Sequence, residues 1–219
     1  MSQPPTERTR VRRHPERGVY DRESLYAILD EALFCHVAYV VDGRPYVIPT
    51  IHARIGDTLY LHGSQASRTL RALKTGMEMC IEATLLDGLV LARSTPKHSM
   101  NYRSVIIYGV AREVTEAAEK SEAQIALVEH IVPGRVDDVR PPTDKEMGET
   151  TILAVPIDEA SAKVRAGPPL DPEEDLAMPA WAGVLPLGLV AGDPEPDPKL
   201  ARGASVPDYL RHYHRPPTI

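Results

Sequence analysis

The sequence has few aromatic residues, few cysteines and no long apolar run. Aromatic side chains make up 5% of its 219 residues. Because it lacks a run of about 18 apolar residues and an apolar segment behind a basic start, neither a membrane span nor export is predicted. Its two cysteines, Cys35 and Cys80, lie far apart in β-like runs, which is typical of buried thiols in a reducing compartment. We therefore expect a cytoplasmic protein with no membrane partner.

Common catalytic and metal-binding motifs are also missing. The chain contains no G-x-G-x-x-G, G-x-x-x-x-G-K, H-E-x-x-H or C-x-x-C. Scattered histidines are more typical of satisfied strand residues than of ligands, and they occur at positions 36, 52, 62, 98 and 130. His212 and His214 supply only two ligands, so no metal site is expected. No catalytic acid or base can be named from the sequence.

Residues 1–19 form a basic, proline-containing segment with almost no apolar side chains, which predicts a disordered or arm-like tail. Its arginines raise the possibility of a nucleic-acid arm. However, the whole chain has a formal net charge of -6, and no aromatic residue lies between these arginines. We therefore expect no nucleic-acid partner and favour a tail or an arm across a second subunit.

The clearest structural signals lie in one stretch, residues 37–76. Asp42-Gly43 lies between two β-branched runs, Val37–Val41 and Tyr46–Ile51, and such a dipeptide is a strong hairpin signal. After a third strand, Gly63 and Ser64 break the β pattern. Apolar residues at helical spacing then predict a helix that Gly76 ends.

A helix N-terminus at the end of a strand favours phosphate, because its first N–H groups lack partners and its dipole attracts negative charge. Ser64, Ser67 and Arg68 add hydroxyls and a guanidinium at this point. An alternative interpretation leaves Ser64 as an ordinary N-cap, with Arg68 and Arg71 on a solvated helix face.

The rest of the chain predicts a mainly β, α+β domain with peripheral helices. Asp21 should cap an amphipathic helix, Thr115 should cap a helix over 116–131 whose Ile125, Val128 and Ile131 face inward, and Thr143 with Glu146 has the form of a capping box. About six or seven antiparallel strands should form a closed or nearly closed barrel. They are predicted at 35–41, 46–54, 58–62, 79–86, 88–93, 102–114 and 151–157.

The motif H-G-S-x-x-S-R-x-L-x-x-L, from His62 to Leu73, follows the hairpin, and a long strand over 102–109 comes later. This order resembles the pyridoxamine 5'-phosphate oxidase-related flavoproteins, whose fold is the FMN-binding split β-barrel. The resemblance covers residues 20–165 and is closest to the flavin-nucleotide-binding branch that contains the nitroimidazole-resistance proteins.

The resemblance implies an FMN site at a subunit interface of a homodimer. Ser67 and Arg68 match two members of the phosphate-binding Ser-Arg-Lys triplet of true oxidases, while Thr69 replaces the Lys. Ser104 stands where those enzymes have a flavin-contacting Gln, and Ile106 replaces a substrate-binding Arg, so oxidation of pyridoxamine phosphate is not expected. The implied cofactor-binding residues are Val47, Ile48, Pro49, Thr50, His62, Gly63, Ser64, Ser67, Arg68, Arg103, Ser104 and Trp181.

The expected function is that of an FMN-dependent oxidoreductase acting on an unidentified small molecule. The alternative is a binding protein of the same fold, without turnover, for flavin, haem or deazaflavin F420. Residues 166–219 form a proline-rich extension that contains the chain's one tryptophan. Trp181 either covers the flavin or substrate pocket or anchors the tail on the barrel.

Overall fold

The computed structural model describes residues 5–201 and 203–214. Within them the chain forms eleven strands and five α-helices. In chain order these are β1 (Gly18–Val19), α1 (Arg22–Glu31), β2 (Cys35–Val41), β3 (Arg44–Thr50), β4 (His52–Ile55), β5 (Thr58–Ser64), α2 (Arg68–Leu73), β6 (Glu78–Leu91), β7 (Ser99–Val110), β8 (Arg112–Glu113), α3 (Ala117–Ile131), α4 (Asp144–Glu149), β9 (Thr150–Pro156), β10 (Glu159–Arg165), β11 (Gly183–Pro186) and α5 (Asp208–Arg211).

Two antiparallel sheets replace the closed or nearly closed barrel expected from the sequence. The larger has the strand order β1-β10-β7-β6-β2-β3, and β11 pairs with β6 outside this path. The smaller has the order β4-β5-β9-β8. The main core lies between the sheets and under α1, and includes Leu29, Val37, Leu61, Ile81 and Ile107. The mainly β split-barrel fold is thus confirmed, with the barrel open.

The hairpin at Asp42-Gly43 is confirmed. Val41 pairs with Arg44, so only these two residues form the turn. Their φ angles are 51° and 73°. A two-residue turn with both φ angles positive matches the twist of the strands it joins, and Asp-Gly tolerates it better than most pairs.

The single strand predicted over 46–54 is wrong, because Ile51 divides it. Residues before Ile51 pair with β2 in the larger sheet, and residues after it pair with β5 in the smaller one. One residue therefore carries the chain from one sheet to the other. The composition is β-like on both sides, so the sequence gives no sign of the crossing. A similar crossing at Ala111 ends the predicted strand over 102–114, placing β7 and β8 in different sheets.

The two strands predicted at 79–86 and 88–93 are in fact one, β6. Asp87-Gly88 resembles a turn in sequence but forms an irregularity in the pairing with β7, between Leu86 and Gly88. Gly88 is needed there because β11 approaches closely: a Cβ at this position would lie 3.0 Å from the carbonyl oxygen of Leu185. The sequence reasoning missed β10 and β11, whose small or proline-interrupted residues give weak β signals.

Helix α1 forms as predicted. The Asp21 side chain accepts a hydrogen bond from the Ser24 N–H at 2.9 Å, and the buried stripe is Leu25, Ile28 and Leu29. The capping box of α4 is also confirmed, since Thr143 and Glu146 bond each other's backbone N–H groups.

Helix α3 differs from its prediction. Its N-cap is Glu116 and not Thr115, and Ile125 is 47% exposed. The buried positions are Ala123 and Leu127. Ala123 packs with Tyr60 and Ile152 in a small second core on the outer side of the smaller sheet. A small residue allows close approach of helix to sheet, and this packing decides the inward face.

Both terminal segments contact the rest of the chain. Arg8 bonds Glu78 and Glu159 at 2.7 Å each, and its guanidinium lies over the Tyr108 ring. Near the other end, the Tyr209 hydroxyl donates to Asp138 at 2.6 Å. The predicted domain boundaries stay predictions. Among the described helices, none is both long and apolar enough to cross a membrane.

Candidate functional site

The turn between β5 and α2 carries the motif that resembles a flavin-phosphate site. Gly63 and Ser64 do not break the strand as predicted, since β5 runs through Ser64. Ser67 is the N-cap and accepts a bond from the Leu70 N–H at 3.4 Å, while Ser64 accepts one from the Ala66 N–H at 3.2 Å. Both hydroxyls still have a proton to donate to a ligand.

Helix α2 is shorter than predicted and ends at Leu73, before Gly76. Six residues give only a small helix dipole, so side-chain charge must supply most of the attraction for an anion at this turn. Gly63 allows the helix to lie against the strand, because a Cβ there would come within 2.9 Å of Leu70 Cδ1.

Arg68 is the available cation at this turn. It is exposed, and within the described chain no carboxylate lies within ion-pairing distance of it. Its guanidinium carbon lies 4.6 Å from the centre of the Tyr46 ring. Tyr46 stacks on Tyr39, whose hydroxyl bonds Thr69 Oγ1 at 3.0 Å. Arg68 is thus oriented by an aromatic pair while its charge remains free.

The flavin contacts predicted on β3 follow Tyr46, the residue through which this strand meets Arg68. Val47 is 59% and Ile48 36% exposed. As β3 is the edge of the larger sheet, part of its backbone has no strand partner. The exposed apolar side chains suit packing against one face of a flat ring, and the free backbone groups suit hydrogen bonds to its polar edge. Only the start of β3, at Tyr46, is shown to contact Arg68; Val47 and Pro49 project from the opposite face, and Thr50 lies four residues along the strand, about 13 Å from Tyr46.

His62 does not join this group. It pairs with Ile152 on the side of the smaller sheet that faces α3, whereas Leu61 and Gly63 face the main core and α2. Its Nδ1 is buried and has no hydrogen-bond partner in the described part of the chain. Burial lowers the pKa of His62, which therefore favours the neutral imidazole.

Arg103 and Ser104 lie on opposite faces of β7, which is separated from β3 by two strands, β6 and β2. Arg103 is buried and forms bidentate pairs with Glu31 and Asp87, which raise its pKa. Its charge is therefore balanced inside the chain. Ser104 Oγ donates to the Lys163 carbonyl at 3.3 Å on the outer face. Neither side chain reaches Arg68 within one subunit, so their predicted contact with a flavin depends on a second subunit.

A cavity of about 750 Å³ lies beside Arg103, and the sequence reasoning missed it. Phe34 and Leu86 form part of its wall, and Leu187 and Leu189 from the C-terminal extension form another part. The apolar run 184–189 within the proline-rich extension was the available signal. Trp181, just before this run, is 68% exposed in the single chain and lies against Gly183.

Comparison with known proteins finds a matching family model and similar solved structures. A family model described as pyridoxamine 5'-phosphate oxidase matches residues 21–164. The flavocytochrome Anf3 from Azotobacter vinelandii is 41% identical, with a TM-score of 0.88, and the match covers 94% of this chain and 96% of that chain. The FAD and haem binding protein from Mycobacterium smegmatis is 38% identical, with a TM-score of 0.85, covering 89% and 96%.

A third solved structure, provisionally described as a 5-nitroimidazole antibiotic resistance protein from Bacteroides thetaiotaomicron, shares the fold alone. It is 24% identical with a TM-score of 0.55, and the match covers 67% of this chain and 86% of that chain. Among proteins with curated functions, none matches this chain. The family model spans most of the chain, and the two more similar structures cover nearly all of it. The chain therefore belongs to the pyridoxamine 5'-phosphate oxidase family and has its flavin-binding fold.

Proposed function

We propose that the protein is a flavin-dependent redox protein that also binds haem. The observation that carries this proposal is the likeness, at 41% and 38% identity over almost the whole chain, to a flavocytochrome and to an FAD and haem binding protein. Both matches extend past the family domain into the C-terminal extension. This extension lines the 750 Å³ cavity, so the likeness includes residues that shape a candidate site.

The residues around Arg68 fit a flavin. Arg68 and the Ser64 and Ser67 hydroxyls are available for a phosphate, and the exposed edge of β3 is available for the isoalloxazine ring. When bound, the flavin supplies the electron-transfer chemistry, while the protein binds, orients and shields it. FMN satisfies this one cationic site with its single phosphate. FAD, named for one relative, requires further contacts for its second phosphate and adenosine.

Haem would need apolar surface for its ring and a side chain to bind its iron. The 750 Å³ cavity offers Phe34, Leu86, Leu187 and Leu189 as apolar surface, and its lining also includes the charged Glu31, Asp87, Arg103 and Arg165. Within the described residues, the lining of the 750 Å³ cavity includes no histidine, cysteine, methionine or tyrosine. Beside it, the ring of Phe34 contacts that of His36 at 5.5 Å. His36 Nδ1 lies 3.4 Å from Glu82 Oε2, an arrangement that leaves Nε2 for iron and resembles the carboxylate support given to many ligating histidines. His36 is therefore the residue that would bind the haem iron.

The absorption spectrum of the purified protein tests the proposal. Flavin gives bands in the blue and near-ultraviolet, and haem gives a Soret band. Chromatography of the released cofactor then distinguishes FMN from FAD, and F420 would be recognised in the same way. A protein that takes up neither flavin nor haem on reconstitution would contradict the proposal.

Turnover separates an oxidoreductase from a carrier. If the protein is an enzyme, steady reduction of an acceptor by a nicotinamide or another donor should require the bound flavin. A binding protein without turnover would show no steady reduction of the acceptor. For haem, His36→Ala should abolish the Soret shift on haemin titration, whereas His98→Ala, which changes an exposed histidine elsewhere, should leave it.

A further inference from the structure

A second site candidate lies at the other edge of the larger sheet. Positive side chains gather there around a cavity of about 560 Å³, which also contains Pro96, Ser99 and Leu170. The cations are Arg13, Arg17, Lys97, Lys163 and Arg165, with His14 and His98 beside them. In a chain of net charge -6, five cations around one cavity require an explanation. Within the described residues, no carboxylate lines this cavity.

The burial of Arg165 distinguishes this cluster from an ordinary group of solvent-exposed charges. It is only 7% exposed, and its guanidinium donates to the carbonyls of Gly167 at 3.2 Å and Pro168 at 3.1 Å and to Asn101 Oδ1. Within the described chain, no carboxylate lies within ion-pairing distance of it. Burial, and next the charge of Arg17, lower its pKa. A buried cation without a counter-ion costs free energy that a bound anion would offset.

The nearest carboxylates do not neutralise the cluster. Glu16 lies 3.8 Å from Arg17 Nε and 3.1 Å from His14 Nδ1, but its side chain is 64% exposed. Asp171 is held by Arg93 at 2.9 Å. The cavity therefore keeps a net positive charge, and its field favours a multiply charged anion.

This cavity is separate from the turn at Arg68. It is bordered by β10, whereas Tyr46 and Arg68 lie at β3, and β7, β6 and β2 come between. At about 4.8 Å per strand, the two edges are roughly 19 Å apart. One phosphate cannot contact both sites within a subunit.

We propose that this cavity binds the diphosphate group of a nucleotide. Five cations exceed what one phosphate needs, and the guanidiniums of Arg13, Arg17 and Arg165 have the fork geometry that suits phosphate oxygens. The volume accommodates more than an inorganic ion, and Pro96 and Leu170 offer apolar surface to a base. The ligand is a free nucleotide, because an FAD whose flavin phosphate binds at Arg68 has its second phosphate only one bridging oxygen away and cannot place its diphosphate in this cavity.

ADP titration into the full-length protein, saturated with FMN, tests the proposal. ADP should bind about tenfold more tightly than AMP, because one more phosphate finds partners. Lys97→Gln/Lys163→Gln should weaken ADP binding about tenfold. The matched control, Lys145→Gln/Lys199→Gln, removes the same charge from exposed positions elsewhere and should leave the affinity unchanged. Both pairs avoid the buried Arg165, whose loss would endanger folding.

A parallel titration of the FAD-saturated protein identifies the source. If FAD blocks ADP while FMN does not, the diphosphate of FAD occupies the cavity, its flavin phosphate does not lie at Arg68, and the free-nucleotide proposal is overturned. If ADP binds equally to both forms, the ligand is a free nucleotide. The proposal is overturned if ADP does not bind the FMN-saturated protein, if AMP binds as tightly, or if the two double variants behave alike. Should the chain take up no flavin, the protein as purified is titrated against the same criteria.

Discussion

Arg68 is the residue on which flavin-phosphate binding should depend most. It is an exposed guanidinium oriented by the Tyr46 ring, beside a helix too short to contribute much dipole. A charge-assisted hydrogen bond contributes about 1.5–3 kcal/mol, so Arg68→Ala should weaken FMN binding about ten- to a hundredfold. Riboflavin, which has no phosphate, should bind as before. The measurement is the ratio of the two dissociation constants in each protein.

Arg71→Ala is the control for Arg68→Ala, because Arg71 is an exposed arginine of the same helix. Arg71→Ala should change the ratio of the FMN and riboflavin dissociation constants little. An unchanged ratio in Arg68→Ala would show that the flavin phosphate binds elsewhere.

Arg103 should contribute strongly to the free energy of unfolding. Removing it leaves Glu31 and Asp87 without the cation that both contact, in a place where the Arg103 side chain is 8% exposed. Breaking such a buried pair costs about 3–5 kcal/mol. We expect Arg103→Ala to lower the urea midpoint accordingly. Arg112→Ala, which breaks the exposed pair with Glu119, should cost less than about 1 kcal/mol. Equal effects of the two changes would contradict this assignment.

These residues show what sequence can and cannot predict at a site. The start of a helix at Ser67-Arg68 was predictable, because a strand end, an N-cap and a cation lie within a few consecutive positions; that this turn binds a phosphate stays a prediction. The ion pair of Arg103 with Glu31 spans 72 residues, and no local pattern indicates it. Tyr46 was missed as an orienting group for the same reason, since its contact with Arg68 forms only when β3 and α2 meet.

At the scale of elements, the stretches set by local chemistry were predicted well. The Asp42-Gly43 turn, the capped α1 and the capping box of α4 depend on residues within a few positions of one another. The errors lie where tertiary packing decides: the crossing at Ile51, the continuous β6 and the inward face of α3. The assignment of strands to sheets depends on partners that are distant in sequence.

Strand β11 should detach if its approach to β6 is blocked. A side chain at Gly88 would come within 3.0 Å of the Leu185 carbonyl and 3.1 Å of Val184 Cγ1. Gly88→Val is therefore expected to displace β11, expose residues 183–187 to limited proteolysis and shift the Trp181 emission. Gly192→Val, at a position where an added Cβ meets nothing within 4 Å, should do neither. Unchanged proteolysis in Gly88→Val would show that β11 tolerates the contact.

The whole molecule exposes an apolar surface on the outer face of the larger sheet. Val40, Val47, Leu86 and Val110 project from this face and are 43–59% exposed. The N-terminal segment at Arg8 covers the neighbouring part, over Tyr108. We propose that a second copy of the chain covers the rest, in a C2 homodimer.

The double change Val40→Glu/Val110→Glu should convert the dimer to monomers and release flavin, because charges would be buried at the interface. Light scattering with and without FMN measures both effects. Val190→Glu, at an exposed apolar residue of the extension, is the control. A wild-type monomer that binds FMN with undiminished affinity would contradict the dimer proposal.

At the crossing between the sheets, Ile51 alone connects β3 to β4. The edge at Pro49 and Thr50, which we propose for the flavin ring, is joined through this one residue to His52, whose Nε2 is hydrogen-bonded to the Leu29 carbonyl of α1 at 2.9 Å. A ligand that displaces β3 should therefore also displace β4, through Ile51, and α1, through the hydrogen bond of His52. Amide exchange in β4 should slow when flavin binds, although β4 belongs to the other sheet.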